Sequence, residues 1–275
     1  MRTTRLPQAG GFRYNRRDSE IEISTIQSQV QDSLIVGARV ARIAYTPKPD
    51  NRAEFDRREW PVYSLAELAF FLDIPKPTLH SWTKERRDSK GRIKEALIIP
   101  ADASEAHFSF YNLIEAHILS VTTKVHKVKT SAIREAIREL LASGMATGTH
   151  PLLSREFHTD GRDVFLKLIE RTINLSRRGQ LALKPIMDDY LERIERDEFF
   201  RPKKLFPSRQ ENRVVSMIPS VSSGRPIIDG TGIPVASVWN RFRSGDSMEF
   251  IAEDFDIDRF QVEGAIRYVE NLKAA

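Results

Sequence analysis

Cysteine is absent from this 275-residue chain. That excludes a disulfide framework, a thiolate zinc site and a cysteine nucleophile. Long apolar runs are missing as well. The longest, such as Leu68 to Leu72, hold five residues, against about 20 for a membrane-spanning helix. Behind the basic residues of Met1-Arg2-Thr3-Thr4-Arg5-Leu6-Pro7 there is no apolar core, so a secretory signal is not expected and the cytoplasm is.

The motifs of catalysis are missing too. There are six histidines, and none pairs at i,i+4 around a glutamate, which removes the zinc-protease pattern. No Gly-x-Ser-x-Gly elbow and no Gly-Lys-Ser/Thr phosphate loop is written in the chain. Asp254, Asp256 and Asp258 alternate like the start of a calcium loop. The glycine and glutamate that such a loop needs are replaced by Arg259 and Ala265, so the three read as helix caps and turn residues. Asp188, Asp189 and Glu192 sit on one helical stretch with no second acidic cluster to complete a metal site. Gly230-Thr231-Gly232 runs into Ile233-Pro234 rather than a phosphate-cradling helix start and reads as a turn. The expectation is a protein that is not an enzyme and uses no metal or cofactor.

What remains is charge and pattern. Net charge is +5, a modest excess that matters through its location. Residues 84–94 hold six basic and two acidic residues; residues 231–275 hold five basic and eight acidic ones. One region suits a polyanion and the other repels it.

Residues 1–18 show no apolar period and read as unstructured. Residues 21–45 mix alternating and helical spacing, and 46–59 read as a linker. From Trp60 the signals sharpen. Ser64-Leu65-Ala66-Glu67 predicts a capping box, followed by Leu65, Leu68, Ala69 and Leu72 at helical spacing. After the Asp73-Ile74 turn, Pro75 or Pro77 suits the first turn of a second helix, with Leu79 and Trp82 inward. Ala96 to Pro100 predicts a strand closing a basic wing. Helices are expected over Phe108 to Val121, over Thr130 to Leu141 with Thr130 as cap and Gly144 past the end, and over Leu181 to Arg193. Ser154 to Leu168 reads as a hairpin turning at Asp160-Gly161, and 201–211 as a boundary. The C-terminal stretch predicts a strand over Arg213 to Ile218 and a helix over Val235 to Arg243 ended by Gly245. A capped start at Asp246-Ser247-Met248-Glu249 and a last helix after Asp258 complete it.

Two short helices, a tight turn and a basic loop follow the helix-turn-helix pattern, whose second helix reads the major groove. Its exposed positions would be Lys76, Thr78, His80, Ser81 and Lys84. Arg86, Arg87, Lys90, Arg92 and Lys94 would grip the phosphate backbone. The acidic C-terminal trio of helices suits protein contact instead, with Trp239 and Phe242 as aromatic anchors or as ordinary core residues.

The run Gly224-Arg225-Pro226-Ile227-Ile228, Gly230-Thr231-Gly232-Ile233-Pro234-Val235, Arg243-Ser244-Gly245-Asp246-Ser247 and Ile251-Ala252-Glu253-Asp254-Phe255 resembles the small C-terminal domain of VapB-like antitoxins. That family writes Gly-x-Pro-x-Ile-x-Gly-Thr-Arg-Ile-Pro-Val; Gly232 stands here in place of the arginine, and any contact that arginine makes is in question. Tyr63 to Trp82, Phe108 to Leu113, His150-Pro151-Leu152, Thr159 to Phe165 and Gly179-Gln180-Leu181 resemble the longer members, which carry a MerR-like helix-turn-helix in front. The likeness covers about residues 60–270 and leaves 1–58 outside.

The resemblance implies an antitoxin of a type II toxin–antitoxin pair. Its partners would be a PIN-like ribonuclease toxin and operator DNA, and it would act as a homodimer repressing its own promoter. Arg225, Pro226, Thr231 and Ile233 then join Trp239 and Phe242 as candidate partner or oligomer contacts. The rival readings are a stand-alone regulator and an assembly module without DNA affinity.

The expected architecture is mainly α with small β hairpins. An extension (1–58) precedes a winged helix-turn-helix domain (59–210) and a smaller three-helix, helix-turn-helix-like domain (211–275).

Overall fold

In the computed structural model the described residues are 56–87, 91, 93–126, 128–173, 177–208 and 213–274. The expectations for 1–18 and 21–45 lie outside them, as do Lys90 and Arg92. Arg86 and Lys94 are described by backbone alone.

The chain is mainly helical, with four small antiparallel strand pairs among the described residues. The capping box forms as read. Ser64 Oγ accepts from Glu67 N at 3.2 Å, and Glu67 Oε2 accepts from Ser64 N at 3.0 Å. It opens α1 (Leu65–Phe71), directly after β1 (Tyr63–Ser64). Leu68, Ala69 and Leu72 face inward. Asp73 turns the chain at φ 51°. Pro75 precedes α2 (Lys76–Thr83), Pro77 sits in its first turn, and Leu79 and Trp82 are its buried residues.

Next comes a hairpin of β2 (Arg86–Arg87) and β3 (Ile93–Lys94), with Arg87 opposite Ile93 and Gly91 at φ 75° in its turn. The strand expected over 96–100 does not form. The Leu97 and Ile98 amides both donate to Trp82 O, at 2.7 and 3.1 Å. Their backbone closes the end of α2 and leaves no ladder to join, while both side chains are buried.

β4 (His107–Phe108) pairs with β1, Tyr63 opposite Phe108. It leads into α3 (Phe110–His126), which is enclosed on every side from Phe110 to Thr122. Asn112 fixes its start. The side-chain carbonyl accepts from the Ser109 and Ala101 amides, and Nδ2 donates to Ile99 O. α4 (Thr130–Ala142) follows. Its cap position is Lys129, with Thr130 already helical, so Thr130 is not the cap. Gly144, just past the helix end, has φ 73°, a left-handed position where glycine is unstrained.

The hairpin expected over 154–168 is helical. A π-turn at Phe157–Gly161 runs into α5 (Arg162–Ile173). The Asp160-Gly161 dipeptide makes no hairpin turn, because Gly161 serves close packing instead. A Cβ there would lie 2.2 Å from Met145 O. Phe157, Phe165, Leu166 and Ile169 bury one helical face. α6 (Arg177–Glu192) begins earlier than expected and carries Pro185 inside.

Part of the stretch read as a boundary is a strand. β5 (Ile194–Arg196) pairs with β6 (Pro202–Leu205), and Leu205 bridges on to Met217.

The C-terminal elements are β7 (Val215–Ser216), β8 (Ile227–Ile228), α7 (Val235–Arg243), α8 (Met248–Phe255) and α9 (Arg259–Ala274). Their own core gathers Val215, Ile228, Val238, Ile251, Val262, Ala265 and Ile266. The α8 cap is one residue later than expected. Ser247 Oγ accepts from Phe250 N at 3.2 Å, while Asp246 pairs with Arg241 at 2.7 Å. Asp256, left-handed at φ 52°, stops α8. Gln261 Oε1 reaches back to accept from Asp258 N. No helix among the described residues is long and apolar enough to cross a membrane.

Candidate nucleic-acid interface

The inward face of α2 is fixed by Leu79 and Trp82, both fully buried. That leaves the opposite face outward. Lys76, His80 and Lys84 are exposed, and so is Arg87 on β2; Thr78 and Ser81 are half-buried. The structure thus brings Lys76, Thr78, His80, Ser81 and Lys84 onto one helix and its end, with Arg87 on the adjoining hairpin. Two hydroxyl protons are already used. Ser81 Oγ donates to Thr78 O at 2.7 Å, and Thr83 Oγ1 to His80 O at 3.2 Å. Ser81 therefore offers a partner its acceptor lone pairs rather than its proton. Between Lys76 and Lys84 the sequence holds no acidic residue; the exposed Glu85 follows directly.

The C-terminal candidates divide differently. Gly224 O accepts from the buried Tyr63 hydroxyl at 2.8 Å. Arg225 donates to Glu67 Oε1 through Nη2 at 2.8 Å and Nε at 3.1 Å. The first residues of the C-terminal motif are therefore seated on β1 and α1, the elements just before α2. Gly224 has φ 74°, and a Cβ there would stand 2.0 Å from the Tyr63 oxygen. Only glycine satisfies both demands. Burial works to raise the Glu67 pKa, but hydrogen bonds from Ser64 and Arg225 outweigh it and hold the carboxyl below its ordinary value. Burial pushes the Tyr63 phenol up, so it stays a donor. A third link joins Tyr268 on α9 to Phe71 O at 3.2 Å.

Pro226 is buried, and its carbonyl accepts from Val235 N at 3.0 Å. Thr231 Oγ1 donates to Ile228 O and accepts from Ile233 N, which closes the Gly230 turn. Ile233, Trp239 and Phe242 are half-buried against the second core. The Trp239 and Phe242 rings lie 6.3 Å apart, and Lys273 Nζ stands 4.1 Å over Trp239. The large apolar side chains that this region does expose are Phe250 (54%) and Phe260 (50%). Sequence reasoning missed both. The signal was present in Phe250, which directly follows Glu249 on the polar side of α8. It also missed Tyr63 and Glu67 as seats for the motif, because no local pattern reports a contact 161 or 158 residues away. Among the described residues no group of three or more His, Asp or Glu is placed to hold a metal ion.

Residues 215–269 match a family described as a protein of unknown function, DUF433. The chain is 28% identical over 230 residues to "Putative antitoxin VapB45" of Mycobacterium tuberculosis (strain ATCC 25618 / H37Rv); the match takes in 76% of this chain and 94% of the relative. The crystal structure of Rv2018 from Mycobacterium tuberculosis shares the fold at TM-score 0.56 and 22% sequence identity, over 75% of this chain and 97% of that one. The matches to that antitoxin and to that family support kinship with toxin–antitoxin-related proteins.

Proposed function

We propose that this protein is the antitoxin of a type II toxin–antitoxin pair, binding a PIN-like ribonuclease toxin and, as a homodimer in the cytoplasm, its own operator DNA. In this reading α1, its turn and α2 with the β2–β3 hairpin are a MerR-like winged helix-turn-helix within residues 59–210. Residues 211–275 form the antitoxin module, and 1–58 are an extension. The observation that carries the reading is the acid-free outer face of α2, with Lys76, Thr78, His80, Ser81 and Lys84, continuing into the basic hairpin. Arg86, Arg87, Lys90 and Arg92 supply its phosphate grip. The likeness to a named antitoxin across 94% of that protein supports the toxin half. Toxin contact is assigned to the acidic module, where Trp239 and Phe242 are half-buried and Phe250 and Phe260 are exposed; Pro226, Thr231 and Ile233 shape it, and Arg225 ties it to Glu67.

The test has two arms. Co-expression with the adjacent open reading frame should yield a stable complex and relieve its toxicity. A salt-titrated shift assay on the upstream DNA should show binding that weakens steeply as salt rises. Binding to DNA without a toxic neighbour would favour a stand-alone regulator instead.

A further inference from the structure

Arg134 lies on α4, outside both elements of the candidate interface, yet its guanidinium reaches them both. Nε donates to Glu95 O at 2.5 Å, and Nη2 donates to Ser81 O at 3.1 Å. Ser81 is in the last turn of α2. Glu95 directly follows β3, the second strand of the hairpin. The two carbonyls therefore stand at the two roots of the hairpin, and one side chain ties them together.

The chemistry suits arginine. A planar fork with separate N–H groups can serve two carbonyls held at a fixed spacing; a lysine ammonium is a point donor on a flexible stem. A cation at the C-terminal end of α2 is also favoured by the helix dipole, whose orphan carbonyls lie there. The neighbouring carbonyl, Trp82 O, takes the Leu97 and Ile98 amides. The end of α2 is thus held by donors from the segment after the hairpin and from α4.

A plain packing role for Arg134 is the alternative. It is disfavoured because α4 is seated by Ala132, Ile133, Ala136, Ile137 and Leu140, all buried. Arg134 is only half-buried, and the carbonyls it holds lie in α2 and directly after β3.

We infer that Arg134 is a positioning residue for DNA binding: it sets the angle between α2 and the β2–β3 hairpin without itself reaching a phosphate. This inference rests on the DNA-binding reading above.

The experiment compares the full-length wild type, Arg134→Gln, Arg134→Lys and the double variant Lys84→Ala/Arg87→Ala. Fluorescence anisotropy on a duplex of the upstream sequence, across a salt series, reads affinity and its salt slope. Loss of a charged hydrogen-bonding group from a fixed geometry corresponds to roughly tenfold in affinity. Arg134→Gln should lose about that factor at every salt concentration, with an unchanged slope of log K against log salt. Arg134→Lys should recover part of it. The double variant should flatten the slope. Melting curves on the same samples fix the folded fraction. A flattened slope in Arg134→Gln would make Arg134 a phosphate contact and overturn the inference. So would unchanged affinity, or a loss that vanishes once corrected for the folded fraction. If the wild type binds no DNA at any salt concentration, the underlying reading fails and the inference with it; if the wild type binds and Arg134→Gln binds equally, only the inference fails.

Discussion

The hydroxyl of Tyr63 and the carbonyl of Gly224 meet at 2.8 Å across 161 residues of chain. The phenol is buried, with its ring edge-on to Phe71 at 6.4 Å. The glycine carries no Cβ because that atom would fall 2.0 Å from the phenol oxygen. This pair makes a sharp test of how the C-terminal module is seated.

Gly224→Ala should cost at least about 2 kcal/mol, since it combines a positive φ with overpacking. Tyr63→Phe should cost about 1 kcal/mol for the lost hydrogen bond. The two should not add. Removing the phenol oxygen also removes the atom nearest the new methyl group, so the double variant should be more stable than the sum predicts. Denaturant unfolding of the four proteins measures this, and strict additivity would contradict the geometry.

Arg225→Ala should weaken the fold by about 0–1 kcal/mol at neutral pH, because the pair with Glu67 is substantially exposed. That cost should shrink in acid, where protonated Glu67 no longer pairs with Arg225. Glu67 is held below its ordinary pKa, so the unfolded chain takes up that proton first, and stability falls as pH drops through the range of this carboxyl. Without Arg225 only the Ser64 bonds hold the carboxylate, and the acid limb should become shallower. Melting temperatures from neutral pH downward would show it; superimposable acid limbs would argue against the pair.

His158 is a second acid-sensitive point. Burial first, and then the neighbouring Arg196 charge, lower its pKa to about 3. The ring is neutral in the folded state down to that value, whereas the unfolded chain protonates it near its ordinary 6.5. The unfolded form thus binds more protons between about pH 6.5 and 3, and stability is lost as pH falls through that window, by up to about 1.4 kcal/mol per pH unit. His158→Gln should remove this part of the slope. A variant that keeps the full slope would place the titration elsewhere.

Lys84→Ala/Arg87→Ala should weaken binding to every DNA sequence alike. Each lost phosphate contact should reduce the magnitude of the salt slope by about 0.9. His80→Ala should instead change which sequences are preferred, because its side chain is on the outer face of α2. Competition with mutated duplexes separates the two patterns.

Local signals were legible where one short stretch decides the outcome. The Ser64–Glu67 box, the proline-led α2 and the bounds of α7 all follow from neighbours in sequence. The failures share a cause. Asp160-Gly161 has the composition of a turn, but a distant carbonyl, Met145 O, is what forbids a side chain at Gly161. Leu97 and Ile98 have a strand-like composition, but their amides are claimed by Trp82 O. Arg134 and Tyr63 carry no local mark, and the capping box gives no sign that Glu67 also pairs with Arg225, since each of these contacts is made by what arrives from far along the chain.

The inward use of Gly224 and Arg225 also bears on how such motifs are interpreted. A signature shared among relatives is easily taken for the imprint of an outside partner. Here its opening residues bond to β1 and α1 of the same chain. A protein carrying the C-terminal module alone would leave those bonds unmade, and the same letters would then answer to a different selective pressure.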